Sequence, residues 1–122
     1  MKNLPKLNWG KSNGLIPVII QDFKTNEVLM HGFMNKAALK KTLEERRVTY
    51  YSRTRKKLWT KGETSGNFQL VKEIFVDCDL DTLLIKIRQI GNTCHTGKRT
   101  CFFKKYAHKK RKTNQSALRA SL

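Results

Sequence analysis

The chain has 122 residues, with 26 lysines and arginines against 9 aspartates and glutamates, a formal net charge of +17. That length fits one domain with a thin core, and 39% hydrophobic residues fit a globular protein. No apolar run approaches the ~20 residues of a membrane span, the amino terminus lacks a signal-peptide stretch, and three cysteines make no disulfide framework; a cytosolic protein with an anionic partner is expected.

Leu15 to Gln21 is rich in Val and Ile and reads as a buried strand. Asp22 to Asn26 reads as a turn and Glu27 to Phe33 as a second strand, together a hairpin. Asn35 is a good N-cap, and Ala38, Leu39, Thr42 and Leu43 recur at helical spacing behind it, so a helix is expected over about 36–46. Val48 to Ser52 and Leu58 to Thr60 read as short strands, and Gly62 to Gly66 as a loop. Asn67 to Val76 and Thr82 to Ile90 read as strands on either side of an aspartate-rich segment; Leu83, Ile85 and Ile87 alternate with Lys86 and Arg88, which gives the second a wet face. Gly91 to Cys101 is a loop. The expected class is α+β, mainly antiparallel, with one principal helix in a single domain over 1–103. A basic tail over 104–122, with Lys104-Lys105 and Lys109 to Lys112, is expected to be mobile. Trp9, Trp59 and the phenylalanines are assigned to the core rather than to base-stacking platforms, with stacking left open for Trp59 beside Lys61, and His31 to the core or a sheet edge.

The segment Asp77-Cys78-Asp79-Leu80-Asp81 holds three of the chain's nine acidic residues. In an extended backbone Asp77, Asp79 and Asp81 would share one face and Cys78 would point to the other. Three carboxylates so spaced repel one another unless a cation sits among them, and oxygen ligands suit a hard ion such as Mg²⁺. All three cysteines, Cys78, Cys94 and Cys101, lie in the same region, and thiolates suit zinc. Three thiolates leave a coordination position open for water, whose pKa zinc brings toward neutrality. His95 would either close a Cys3His set or, because adjacent side chains diverge in an extended segment, act as a general acid or base; the second reading is preferred here.

A second cluster joins Ser52-Arg53-Thr54-Arg55 to Lys61-Gly62-Glu63-Thr64-Ser65-Gly66. Arginine forks, hydroxyls and glycine-flanked amides suit phosphate oxygens, which makes Arg53, Arg55, Lys61, Thr64 and Ser65 candidate phosphate binders. Glu63 would oppose an anion and is better placed to hold a ribose hydroxyl or to position a base.

The run Trp59 to Gly66, the Asp-Cys-Asp-Leu-Asp segment at 77–81, and Cys94-His95-Thr96-Gly97 with Cys101-Phe102 resemble the phosphoribosyl-AMP cyclohydrolase family. Gly14 to Pro17, Gln21-Asp22, Val28 to Met30, Gly32 to Asn35 and Ser52 to Arg55 also look like it, so the resemblance covers roughly 13 to 103. It implies the third step of histidine biosynthesis, the hydrolytic opening of the N1–C6 bond of the adenine ring in 1-(5-phosphoribosyl)-AMP. It implies zinc on Cys78, Cys94 and Cys101, magnesium on Asp77, Asp79 and Asp81, and an intertwined homodimer whose zinc sites draw cysteines from both subunits. His95 would shuttle the proton. Asn92 departs from the family, whose members often have proline before the Cys-His segment, and the short basic tail is unlike the pyrophosphatase domain to which many relatives are fused. A second class, a small zinc-containing nucleic-acid-binding module, is favoured by the charge and disfavoured by the aspartates and by the lack of zinc-finger spacing.

Overall fold

The structure, a computed structural model, describes residues 6–108. Most of the expected tail, from residue 109 on, lies outside the described residues. A 3₁₀ turn, Trp9–Ser12, precedes strands β1 (Ile16–Asp22) and β2 (Val28–Met34), helix α1 (Lys36–Glu45), and strands β3 (Thr49–Ser52), β4 (Lys57–Thr60), β5 (Gln69–Val76) and β6 (Leu83–Gln89). Each expected strand and the helix is present, with ends displaced by no more than two residues.

Four strands form one sheet in the order β2-β1-β6-β5, and β3-β4 form a separate hairpin. The pairs β1-β2, β3-β4 and β5-β6 are antiparallel. β1 and β6 are parallel, with Val18 opposite Leu83 and Ile20 opposite Ile85, so the sheet is mixed. The class is α+β, and α1 is the only α-helix among the described residues.

The pleat of the two central strands explains the core. Ile16, Val18 and Ile20 of β1 and Leu83, Ile85 and Ile87 of β6 alternate onto one face, where they meet Leu29, Met34, Ala38, Val48 and Tyr50. The helix starts because the Asn35 side-chain oxygen accepts the Ala38 N–H at 2.8 Å. It stops where Arg46 turns left-handed (φ 58°) and its N–H reaches the Thr42 carbonyl. The buried Thr42 hydroxyl donates to the Ala38 carbonyl at 2.9 Å and accepts the Thr49 N–H at 3.0 Å, which ties α1 to the start of β3. Gly32 has to be glycine, because a Cβ there would lie 2.5 Å from the Tyr50 ring.

The phenylalanines depart from expectation, for none is buried. Phe75 and Phe102 are 46% and 61% exposed. Several rings are covered by cations instead: Arg53 lies 3.9 Å above Phe33 and Arg47 4.1 Å above Phe68, with Lys72 near Phe23 and Lys86 near Phe75 at longer range. Part of the large positive charge therefore lies over aromatic surface. Trp9 and Trp59 pack at the margin of the core, and His31 is exposed on the sheet-edge strand β2, edge-on to Phe33. No helix among the described residues is long and apolar enough to cross a membrane.

Candidate active site

The β3-β4 hairpin and the loop behind it wall a cleft of about 570 Å³. Ser52, Thr54 and Arg55 line it from the hairpin turn, Trp59 to Ser65 from β4 and the following loop, and His95 from the loop after β6. The hairpin turn is tied by the Ser52 hydroxyl, which accepts the Arg55 N–H at 3.2 Å, and by the Ser52 carbonyl, which accepts the Lys56 N–H at 2.8 Å. The 60–66 loop doubles back at Gly62 (φ 92°), where a Cβ would sit 2.5 Å from the Phe68 nitrogen. Lys61 N–H donates to the Val48 carbonyl at 3.1 Å, and Gly66 N–H to the Gly62 carbonyl at 2.7 Å. Arg55, Lys61, Thr64 and Ser65 thus face one concave surface, with Glu63 among them. Arg53 does not line this cleft, because its guanidinium is stacked on Phe33.

The loop over 91–101 folds on itself through Thr93 N–H to the Arg99 carbonyl and Cys94 N–H to the Lys98 carbonyl. Buried Thr93 anchors it below, donating to the Gln89 side chain at 3.0 Å, and Gln69 donates to the same oxygen. Its far end docks on β2, where Cys101 N–H donates to the Leu29 carbonyl at 2.8 Å and the Thr100 hydroxyl to that of Val28 at 2.8 Å. Arg99 clamps the turn of the first hairpin, with Nε 2.8 Å from Glu27 and Nη2 3.2 Å from Asp22. Asp22 is buried, which would raise its pKa, but donors from Thr25 and Lys24 and the charge of Arg99 more than offset that and hold its carboxyl below the ordinary value.

This docking sets Cys94 and Cys101 side by side, close enough for each thiol to influence the other's ionisation. The Thr96 hydroxyl lies 3.0 Å from the Cys94 sulfur and, with the Thr96 N–H, lowers its pKa; Cys101 and Lys61 add to the effect. Burial and the neighbouring Cys94 push the Cys101 thiol up. A thiolate at Cys94 with a second sulfur beside it fits a soft or borderline cation such as zinc. Cys78 is exposed in the β5-β6 turn, and among the described residues of one chain the three thiols form no common cluster.

The aspartates do cluster, but not by strand alternation. β5 ends at Val76, and 77–82 is a turn with Leu80 left-handed (φ 65°). Asp77 Oδ1 accepts the N–H groups of Asp81 and Thr82 at 3.0 and 3.1 Å, an Asx-type closure. The result brings oxygens of Asp77, Asp79 and Asp81 within 4.8 Å of one another. A cation already stands there: Lys11 Nζ lies 2.8 Å from Asp79 and 3.0 Å from Asp81, which lowers the Asp79 pKa and raises that of Lys11. A hard cation thus fits the donor set, with the ammonium as its stand-in. Lys11 and Arg99 carry no sequence signal of these roles, and Thr96 enters the sequence reading only as part of the Cys94-His95-Thr96-Gly97 motif. Lys11 is 68 residues from Asp79, and a contact of that separation leaves no local signature.

The family model for phosphoribosyl-AMP cyclohydrolase matches residues 30–103. The chain is 60% identical over 104 residues to the histidine biosynthesis bifunctional protein HisIE of Buchnera aphidicola, a match covering 85% of this chain and 50% of that protein. It is 57% identical over 98 residues to the phosphoribosyl-AMP cyclohydrolase of Clostridium botulinum, covering 80% of this chain and 90% of that protein. With the phosphoribosyl-AMP cyclohydrolase of Clostridium beijerinckii the identity is 55% over 103 residues, covering 84% and 94%. The chain spans about half the length of the bifunctional relatives it matches.

Proposed function

The chain belongs to the phosphoribosyl-AMP cyclohydrolase family, and from that membership we propose that it hydrolyses the N1–C6 bond of the adenine ring in 1-(5-phosphoribosyl)-AMP, within histidine biosynthesis. The observation that carries this reading is one cleft in which His95, next in sequence to Cys94, faces Arg55, Lys61, Thr64 and Ser65. A substrate with a phosphate on each ribose needs donors at the rim and a proton-transfer group near the base, and the cleft offers both. Arg55 and Lys61 hold phosphate oxygens, the Thr64 and Ser65 hydroxyls add neutral donors, and Glu63 takes a ribose hydroxyl. His95 takes a proton from the attacking water or returns one to the departing ring nitrogen. Zinc on the thiolates would supply the nucleophile by making a water acidic enough to ionise near neutral pH.

Two thiols of one chain are too few for that ion, and Cys78 is exposed elsewhere. The proposed assembly is a homodimer in which Cys78 of the partner subunit joins Cys94 and Cys101. The aspartates would hold magnesium and help fix substrate oxygens. A cytoplasmic location fits this reaction.

The test is to supply purified zinc-loaded protein with phosphoribosyl-AMP and follow ring opening by absorbance. Turnover that is lost on chelation and restored by zinc is expected. No turnover, together with strong salt-sensitive binding of a generic oligonucleotide, would instead support a nucleic-acid-binding module.

A further inference from the structure

We propose that Lys11 is a tethered competitor for the divalent cation of the aspartate turn, so that the ammonium and the ion exclude one another. This rests on the reading of Asp77, Asp79 and Asp81 as a magnesium site. Lys11 Nζ is within 3.0 Å of one oxygen of Asp79 and one of Asp81. One oxygen of Asp77 is committed to the backbone of the turn. A hard dication takes anionic oxygens at closer range than an ammonium does, and it would need this same small set. Two cations a few ångströms apart on shared carboxylates repel, so joint occupancy is disfavoured.

The segment that carries Lys11 is built for this placement. The Asn8 N–H donates to the Leu80 carbonyl at 2.7 Å, so the strap grips the turn once by backbone and once, three residues on, by side chain. The side-chain grip is reversible at small cost. Lys11 and Asp79 are each about half exposed, so the ammonium exchanges a carboxylate for water without being buried on either side. With no ion present, Lys11 relieves the repulsion among three carboxylates and keeps the turn in shape. When an ion arrives, Lys11 swings away while the Asn8 tie holds its backbone near. Lys11 thereby sets the concentration at which magnesium enters.

Magnesium titrated calorimetrically into the full-length zinc-loaded protein at low salt tests this. Lys11→Gln should bind Mg²⁺ about tenfold more tightly than the unaltered protein, since a competing unit charge is removed. Lys11→Arg, which keeps the charge, should stay near the unaltered value, and Asp79→Asn should abolish binding in either background. Saturating Mg²⁺ should also raise the rate at which an amine-acylating reagent labels Lys11, read by mass spectrometry. Equal affinity in the unaltered and Lys11→Gln proteins, with binding still lost in Asp79→Asn, would overturn the competition while leaving the magnesium reading intact. No Mg²⁺ binding in any variant would overturn both. If Lys11→Gln fails to fold, the labelling decides: an unchanged rate at a magnesium concentration shown by calorimetry to saturate the unaltered protein overturns the proposal.

Discussion

The aspartate turn and the thiol loop both gather side chains of types that ligate metals, yet only in the turn do three such groups converge within one chain. In the turn, backbone donors fix Asp77 and Lys11 pairs with Asp79 and Asp81, offsetting part of their charge. In the loop, two thiols lie side by side near the surface, while the third is carried by the aspartate turn itself. The carboxylates are met by an ammonium of the same chain at hydrogen-bond distance, whereas the two thiols of the loop are too few for a tetrahedral ion. The contrast separates the two regions: the turn is held by contacts of its own chain, whereas the proposed zinc site at the loop would draw its third thiol from a partner subunit. Because Cys78 sits among the aspartates, a turn that delivers its thiol to another subunit carries its carboxylates there as well.

The largest expected effect separates the two regions by chemistry. Cys94→Ser should lower bound zinc and turnover together, by more than about 100-fold, since even outer-shell losses at metal sites reach that range. Magnesium binding at the turn should persist in this variant. A parallel loss of magnesium would show that the turn and the loop are one site. Arg99→Ala tests how the loop is held without touching a thiol. Chelator competition should report zinc affinity about tenfold weaker, with Arg99→Lys recovering part of it. Unchanged affinity would mean that the bonds of Thr100 and Cys101 to β2 hold the loop without the clamp. The smallest effect is a control outside both regions. Asn35→Ala should cost about 1 kcal/mol of stability in urea unfolding through loss of the helix cap, with zinc and magnesium affinities unmoved.

The sequence made these regions legible to different degrees. The helix could be read because Asn35 caps it and its apolar residues repeat, both local signals. The central strands could be read from the alternation of Leu83, Ile85 and Ile87, which is the pleat itself. The parallel pairing of β1 with β6 could not, since it joins segments more than sixty residues apart and neither strand encodes its neighbour's direction. The clustering of the aspartates was foreseen for the wrong geometric reason: the extended spacing suggested a shared face, whereas a turn with Leu80 left-handed brings the oxygens together. Lys11 leaves no local signal, because nothing near Trp9-Gly10 points to residue 79. The phenylalanines were misplaced because hydrophobicity alone ignores the arginines and lysines that lie over them.

The claim that the thiol loop is finished by a second subunit is tested most directly by mixing two inactive chains. Cys78→Ser and Cys94→Ser proteins are unfolded together, refolded together, and assayed for phosphoribosyl-AMP ring opening. Random pairing makes half the dimers mixed, and each mixed dimer has one site with all its cysteines, so roughly a quarter of the unaltered activity should return. No activity from the mixture, despite normal folding and a dimeric mass, would contradict the shared site.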